Sequence, residues 1–428
     1  MWTPFRDTNV TDQVEAVRTQ LDRQVAHWVL ASARLDLDDL AAPEAWGRLE
    51  QYLGIALRRH LQGVIDRLRA QGEVLAATNR SATTPAALIE VRRRLLAFRR
   101  QFLRSELTLD YFGDAINTRT NARSAALLRA CDSLAYRSMA QILDQLGKST
   151  PPTLSYNAEG RGAAILKAGL RLWDGGDLNP VAAIKITRHN LLRPTAAIHE
   201  AGHQFAHIVG WNEELATVLA RGLAPRSTEV AEVWSRWASE IAADAVAFVH
   251  TGYASVAALH DVLADEIPFV FRHTPGDPHP ICYLRVLLGV ETCRYFYGEG
   301  PWDVLGRAWT TMHSMRQAPG ETRRLLEDSM PVLRDVVRLT VDTPMRAFQG
   351  RSLSSLVRPD RVSPTALNEL ATRIGPALFT SSHWLWTESL RILALTGWQL
   401  ATRPQELIEI LKLQEQAMLR LGGALQAA

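Results

Sequence analysis

Thr195-Ala196-Ala197-Ile198-His199-Glu200-Ala201-Gly202-His203-Gln204-Phe205-Ala206-His207 is the stretch on which the reading of this chain turns. Pro194 and Thr195 are helix-starting residues and Gly210 is a helix-stopping one, so the segment reads as one helix. Residues four apart on a helix share a face and lie about 6 Å apart along its axis. Two imidazoles so placed, His199 and His203, can ligate one zinc ion at about 2.0–2.1 Å each. Glu200, directly after the first histidine, points to the metal's open side, where it can take a proton from a bound water. Gly202 costs about 1 kcal/mol relative to alanine inside a helix. That cost suits a second helix approaching closely. His207 is rotated about 80° from His199 around the same helix, which makes it an outer or core histidine and not a ligand.

Two histidines and a water leave one protein ligand to find. The next long helix is expected over Thr228 to His250. In it Glu240 and Asp244 are four apart, beside an apolar stripe of Val230, Val233, Trp234, Trp237, Ile241 and Ala245. Two carboxylates next to a buried stripe require a charge partner. A metal with its histidines supplies one: Glu240 binds the ion and Asp244 accepts the outer N–H of a ligating histidine, His199. The rival ligands are Glu213 and Glu214, 10 and 11 residues past His203. Most of that separation is needed to finish the first helix, and neither has an aspartate four residues on.

Around this centre the composition is that of an ordinary globular chain. The sequence has 428 residues, 47% hydrophobic and 22% charged, which excludes disordered and collagen-like classes and predicts two or three domains. No uncharged apolar run reaches the roughly 18–20 residues of a membrane span. The opening Met1-Trp2-Thr3-Pro4-Phe5-Arg6-Asp7 lacks the basic and apolar regions of a signal peptide. Cys131, Cys282 and Cys293 form neither a disulfide framework nor a cysteine zinc site. A cytoplasmic setting is expected. Net charge is +3, from 48 basic and 45 acidic residues, too balanced to argue for nucleic acid. Only Lys148, Lys167, Lys185 and Lys412 are lysines, leaving 48 − 4 = 44 arginines.

Residues 1–150 read as an N-terminal helical bundle. Helical stripes are expected over Asn9 to Arg34, over Pro43 to Ala77, from Thr84-Pro85 onward, and over about Ala122 to Leu146. Residues 51–100 carry ten arginines against Asp66, Glu73 and Glu90, a solvated face that also offers a surface for a protein partner. Lys148-Ser149-Thr150-Pro151-Pro152 breaks the chain. Short segments at Thr153–Tyr156, Ala163–Leu172 and Ala182–Thr187 then read as a small sheet. Val181 to His189 is expected as an edge strand beside the active helix, able to bind an extended peptide by main-chain hydrogen bonds. Helices return to the C terminus, and Trp384, Trp386 and Trp398 are expected in the core.

His199-Glu200-x-x-His203 followed by Glu240-x-x-x-Asp244 resembles the gluzincin zinc metallopeptidases. Asp277-Pro278-His279-Pro280-Ile281-Cys282-Tyr283-Leu284-Arg285 adds His-Pro with an arginine six after the histidine. That order is similar to the family of the CAAX prenyl protease and the heat-shock protease HtpX, over about Ala182 to Tyr297. The resemblance implies a zincin-like metallopeptidase core, placed within residues 151–318, and the helical pattern beyond it reads as a C-terminal helical region over 319–428. It further implies that His199, His203 and Glu240 bind zinc and that Glu200 is the general base. His279 and Arg285 would stand across the cleft and stabilise the oxyanion, with Tyr283 as a helper. The expectation is therefore a mainly α protein that hydrolyses peptide bonds of a peptide or protein substrate with zinc-activated water. Two alternatives are a non-catalytic zinc-stabilised helical adaptor, whose site would be closed by a fourth ligand such as His207 or Glu214, and a zinc hydrolase of a non-peptide amide.

Overall fold

The structure, a computed structural model, describes residues 10–160, 162–169, 178–191 and 193–427. The described residues are mainly helical, with one three-stranded sheet among them. The described residues of 1–117 and 169–180 form one compact unit, and those of 118–168 and 181–428 another.

The first unit holds α1 (Val10–Ala33), α2 (Pro43–Leu53), α3 (Leu57–Ser81) and α4 (Pro85–Asn117). The expected stripes become its core: Leu21 and Val25 from α1, Leu68 and Leu75 from α3, and Val91, Leu95, Phe98 and Phe102 from α4. One feature departs from the pattern. Gly54 adopts φ 69°, the left-handed conformation that ends a helix, and divides the expected Pro43–Ala77 segment in two. The arginines of 51–100 are partly paired, Arg58 with Glu50 and both Arg93 and Arg94 with Glu90.

The second unit begins with α5 (Ala122–Leu143), capped by Asn121, whose side chain accepts from the Arg123 and Ser124 amides. The sheet follows: β1 (Thr153–Asn157), β2 (Ala164–Leu166) and β3 (Ala182–Ile186), in the order β1-β3-β2. β3 is the middle strand, parallel to β1 and antiparallel to β2, with Ile165 opposite Ile184. The expected edge strand is thus corrected: β2 holds the edge, because β3 is paired on both sides. Leu170 to Leu172, the end of the second expected strand, lie outside the described residues, as does the opening Met1–Asp7.

Asp132 fixes α5 to the sheet. Its carboxylate accepts from the Ser155 amide and pairs with Arg119 at 2.6 Å, while Arg119 also donates to the Ser155 carbonyl. The chain then runs through α6 (Thr195–Val209), α7 (Trp211–Leu223), α8 (Thr228–Arg236), α9 (Ala238–Thr251), α10 (Tyr253–Leu263) and the short α11 (Ile267–Val270). Beyond these lie α12 (Cys282–Tyr297), α13 (Pro301–Met312), α14 (Gly320–Ser329) and α15 (Leu333–Val341). The last elements are α16 (Leu353–Leu356), α17 (Pro364–Ile374), α18 (Ala377–Thr380), α19 (Ser382–Thr387), α20 (Ser389–Thr402) and α21 (Leu407–Ala427).

α5 packs on α6 and α21, and α20 packs on α9 and α10. Helices that the sequence groups with the N-terminal bundle and with the C-terminal region therefore share one core with α6 and α9. An apolar stripe says that a face is buried but not which helix covers it. Among the described residues no helix is long and apolar enough to cross a membrane, and all three cysteines are unpaired.

Candidate metal centre

α6 begins at Thr195 after Pro194 and ends at Gly210, whose φ of 70° lets its amide reach the Ala206 and His207 carbonyls. The expected Thr228–His250 helix is two helices. Trp237, at φ −85° and ψ 1°, interrupts it, with its ring packed edge-on against Trp234 at 5.3 Å. The break places Glu240 in the first turn of α9, where the helix dipole favours a carboxylate.

α6 and α9 make the closest helix pair at the site because Gly202 faces α9. A Cβ there would lie 2.9 Å from the Ala243 Cα and 3.1 Å from its carbonyl oxygen. The close approach expected of Gly202 is present, and it brings the ligands together. Among the described residues, His199, His203 and Glu240 each place one ligand atom within 4.8 Å of the others. His199 Nε2 is 3.5 Å from Glu240 Oε2, and His203 Nε2 is 3.2 Å from Glu240 Oε1.

The outer nitrogens are held as well. His199 Nδ1 lies 2.8 Å from Asp244 Oδ1, the contact expected from the spacing. His203 Nδ1 lies 3.2 Å from Ser239 Oγ, a partner the sequence reading did not assign. With Nδ1 engaged, each ring turns its Nε2 toward Glu240, the orientation that a metal needs. Burial works against charge on the His199 ring, but the hydrogen bond and charge of Asp244 and Glu240 outweigh it and push the ring up to about 10. Glu240 and Asp244 are held below the usual carboxylate range, against burial, by the histidines and Arg285. The carboxylates thus demand cationic charge between them. Two imidazoles and a carboxylate are a donor set that suits zinc, so these residues fit the ion.

Arg285 is placed differently from the expectation. Its guanidinium binds Asp244 twice, through Nε at 2.7 Å and Nη2 at 2.8 Å, and reaches Glu240 Oε2 at 3.0 Å. It is 7% exposed and clamps the carboxylates. His279 stands at the cleft with Nδ1 2.6 Å from Asp277 Oδ1 and Nε2 3.6 Å from Glu240 Oε1. Tyr283 is not in the cleft: its buried ring packs between Phe271 and Trp309. Glu214 accepts the Arg346 and Ala347 amides at 2.8 Å each, and Glu213 and His207 are exposed.

Glu200 is buried beside the ligands, and burial raises its carboxyl above the usual range against the opposing charge of both histidines. Lys167 follows β2 and lines the same cleft, and burial lowers its ammonium while Glu200 and Glu240 raise it. Gln204 holds that segment to α6, accepting from the Ala168 amide at 2.7 Å and donating to its carbonyl at 3.1 Å. No sequence pattern marked Lys167; only its rarity among 44 arginines set it apart. The cleft is about 1040 Å³. Gly162, just before β2, and Ala164 and Ile165 of β2 line one side, and Val256, Leu259, Val262 and Leu288 from α10 and α12 line it with apolar side chains.

No protein-family model matches the chain, and no curated protein or solved structure matches it. What fold and site define is a mainly helical protein with a candidate His-His-Glu metal centre in an open cleft.

Proposed function

We propose that the chain is a zinc-dependent endopeptidase of the gluzincin type, similar in the order of its motifs to the CAAX prenyl protease and HtpX family. One observation carries the reading: the Nε2 atoms of His199 and His203 and the Glu240 carboxylate converge while Asp244 holds the outer nitrogen of His199. Zinc in such a site supplies Lewis acidity toward water and a carbonyl oxygen. Glu200 takes the proton of the attacking water and delivers it to the leaving amine, a task suited to a carboxyl whose burial raises its pKa. His279, steadied through Nδ1 by Asp277, can donate from Nε2 to the developing oxyanion. Arg285 acts through Asp244 and Glu240 and so positions the ligands. The β2 edge can pair with an extended substrate, and the wall of Val256, Leu259 and Leu288 suits an apolar side chain.

The adaptor alternative needs a closed site, and the described residues bring together three protein ligands, not four. The deciding experiment is proteome-wide cleavage profiling of the wild type against Glu200→Gln, with zinc content measured on both. Cleavage present in the wild type and absent from a zinc-loaded variant is expected. Equal cleavage by both would sink the mechanism, and none by either would favour the adaptor.

A further inference from the structure

α4, in the first unit, takes no part in the proposed hydrolysis. We propose that its outward face, from Ile89 to Leu107, is a docking surface for an anionic lipid bilayer.

A helix on the outside of a bundle ordinarily turns polar side chains to solvent. The core face of α4 is already accounted for by Val91, Leu95, Phe98 and Phe102. A second apolar line runs along its outer face: Ile89 is 71% exposed, Leu96 39%, Leu103 44% and Leu107 52%. At 3.6 residues per turn these four side chains fall within about 40° of one another, on a line about 27 Å long. Folding of the unit leaves that line without a partner among the described residues.

Arginines border the line on both sides, Arg92 and Arg99 on one and Arg93 and Arg100 on the other, each about 40–60° from Leu96 around the helix. All four are exposed, as is Arg104. Arg93 pairs with Glu90, and Arg99 lies over the Trp28 ring at 5.5 Å. Arg92, Arg100 and Arg104 make no ion pair with a described residue. From Arg92 to Arg104 the helix carries six arginines and no carboxylate. Carboxylates resume at Glu106 and Asp110, where the apolar line ends.

An apolar line between two cationic borders is complementary to a bilayer that carries anionic headgroups. The leucine side chains enter the acyl boundary, the arginine stems lie along them, and the guanidinium groups meet the headgroup phosphates. Other occupants leave part of the face unused. Nucleic acid would satisfy the arginines and set the aliphatic line against a charged backbone. A packed partner helix needs apolar residues alternately three and four apart. On α4 the leucine-type positions at 89, 96 and 103 are seven apart, and arginine fills both candidate positions between each pair, Arg92 with Arg93 and Arg99 with Arg100.

The test is co-sedimentation of the full chain with vesicles of phosphatidylcholine alone and of phosphatidylcholine mixed with phosphatidylglycerol. Binding to the anionic vesicles is expected to be at least tenfold tighter than to the neutral ones and to weaken as salt is raised. An arginine near an anionic surface strengthens binding about fivefold, so Arg92→Gln combined with Arg100→Gln should weaken it about 25-fold. Leu96→Gln combined with Leu103→Gln should weaken it at least tenfold. All four positions are exposed, so both double variants should keep the wild-type circular dichroism. Absent binding, equal binding to both vesicles, or indifference to the leucine variant overturns the proposal. So does retention by duplex DNA or polyglutamate through the same arginines while the vesicles bind nothing, which would put nucleic acid or an acidic protein on this face.

Discussion

Gly202→Ala should damage metal binding more than stability. The added Cβ would stand 2.9 Å from the Ala243 Cα, where ordinary contact begins at 3.4 Å, so α6 and α9 must separate by 3.4 − 2.9 = 0.5 Å. The obstacle is backbone, which cannot rotate away. Overpacking of this kind costs about 1–3 kcal/mol, and removing a helical glycine returns about 1 kcal/mol. The net loss of stability should be about 0–2 kcal/mol. The proposed metal site tolerates less. Its two histidines ride on α6 and Glu240 on α9, and ligand distances hold within about 0.2 Å of their ideal values. A shift of about 0.5 Å should therefore lower zinc affinity by about 10–100-fold, the range seen when the support of a ligand is lost. Chelator competition measures affinity and urea titration measures stability on the same preparation. A variant stabilised by about 1 kcal/mol with unchanged zinc affinity would refute the close-approach argument.

Further outcomes follow from particular contacts. Asp244→Asn should lower zinc affinity about 10–100-fold by releasing the outer nitrogen of His199, read by the same chelator competition; unchanged affinity would remove Asp244 from the site. Arg119→Ala removes the guanidinium from the buried Asp132 carboxylate and should cost about 3–5 kcal/mol in urea unfolding; a loss below about 1 kcal/mol would show that the Arg119 contact does not hold α5 to the sheet. His250 gives a pH dependence of definite sign. Above pH 6.5 the ring is neutral in folded and unfolded chains alike. Between 6.5 and about 4 only the unfolded chain binds the proton, so stability falls as pH falls, by about 3 kcal/mol across that window. His250→Phe should remove this component, and a wild-type minus variant difference that does not change with pH would contradict it.

The centre of the site was legible because its information is local. Helical spacing placed His199 with His203 and Glu240 with Asp244, and a glycine inside a helix marked where two backbones meet. The break at Trp237 was not legible, since the stripe from Val230 to Ala245 continues in phase on both sides of it. The sheet edge was misassigned because strand order depends on pairing at a distance, and β2 is only three residues long. The spacing from His279 located Arg285 but not the direction of its guanidinium, which a neighbouring pair of buried carboxylates decides. Trp386 reads as core by residue type, yet it is 47% exposed with the Arg137 guanidinium over its ring. The helices covering α6 and α9 come from both ends of the second unit, and an amphipathic pattern carries no address for its partner.

Zinc K-edge absorption spectroscopy of the purified chain tests the central claim most directly. One zinc per chain is predicted, with two imidazole nitrogens at about 2.0–2.1 Å, carboxylate oxygen and an exchangeable water, and with the ion lost from His203→Ala. Absence of stoichiometric metal, a shell of four protein ligands, or zinc retained by His203→Ala would contradict it.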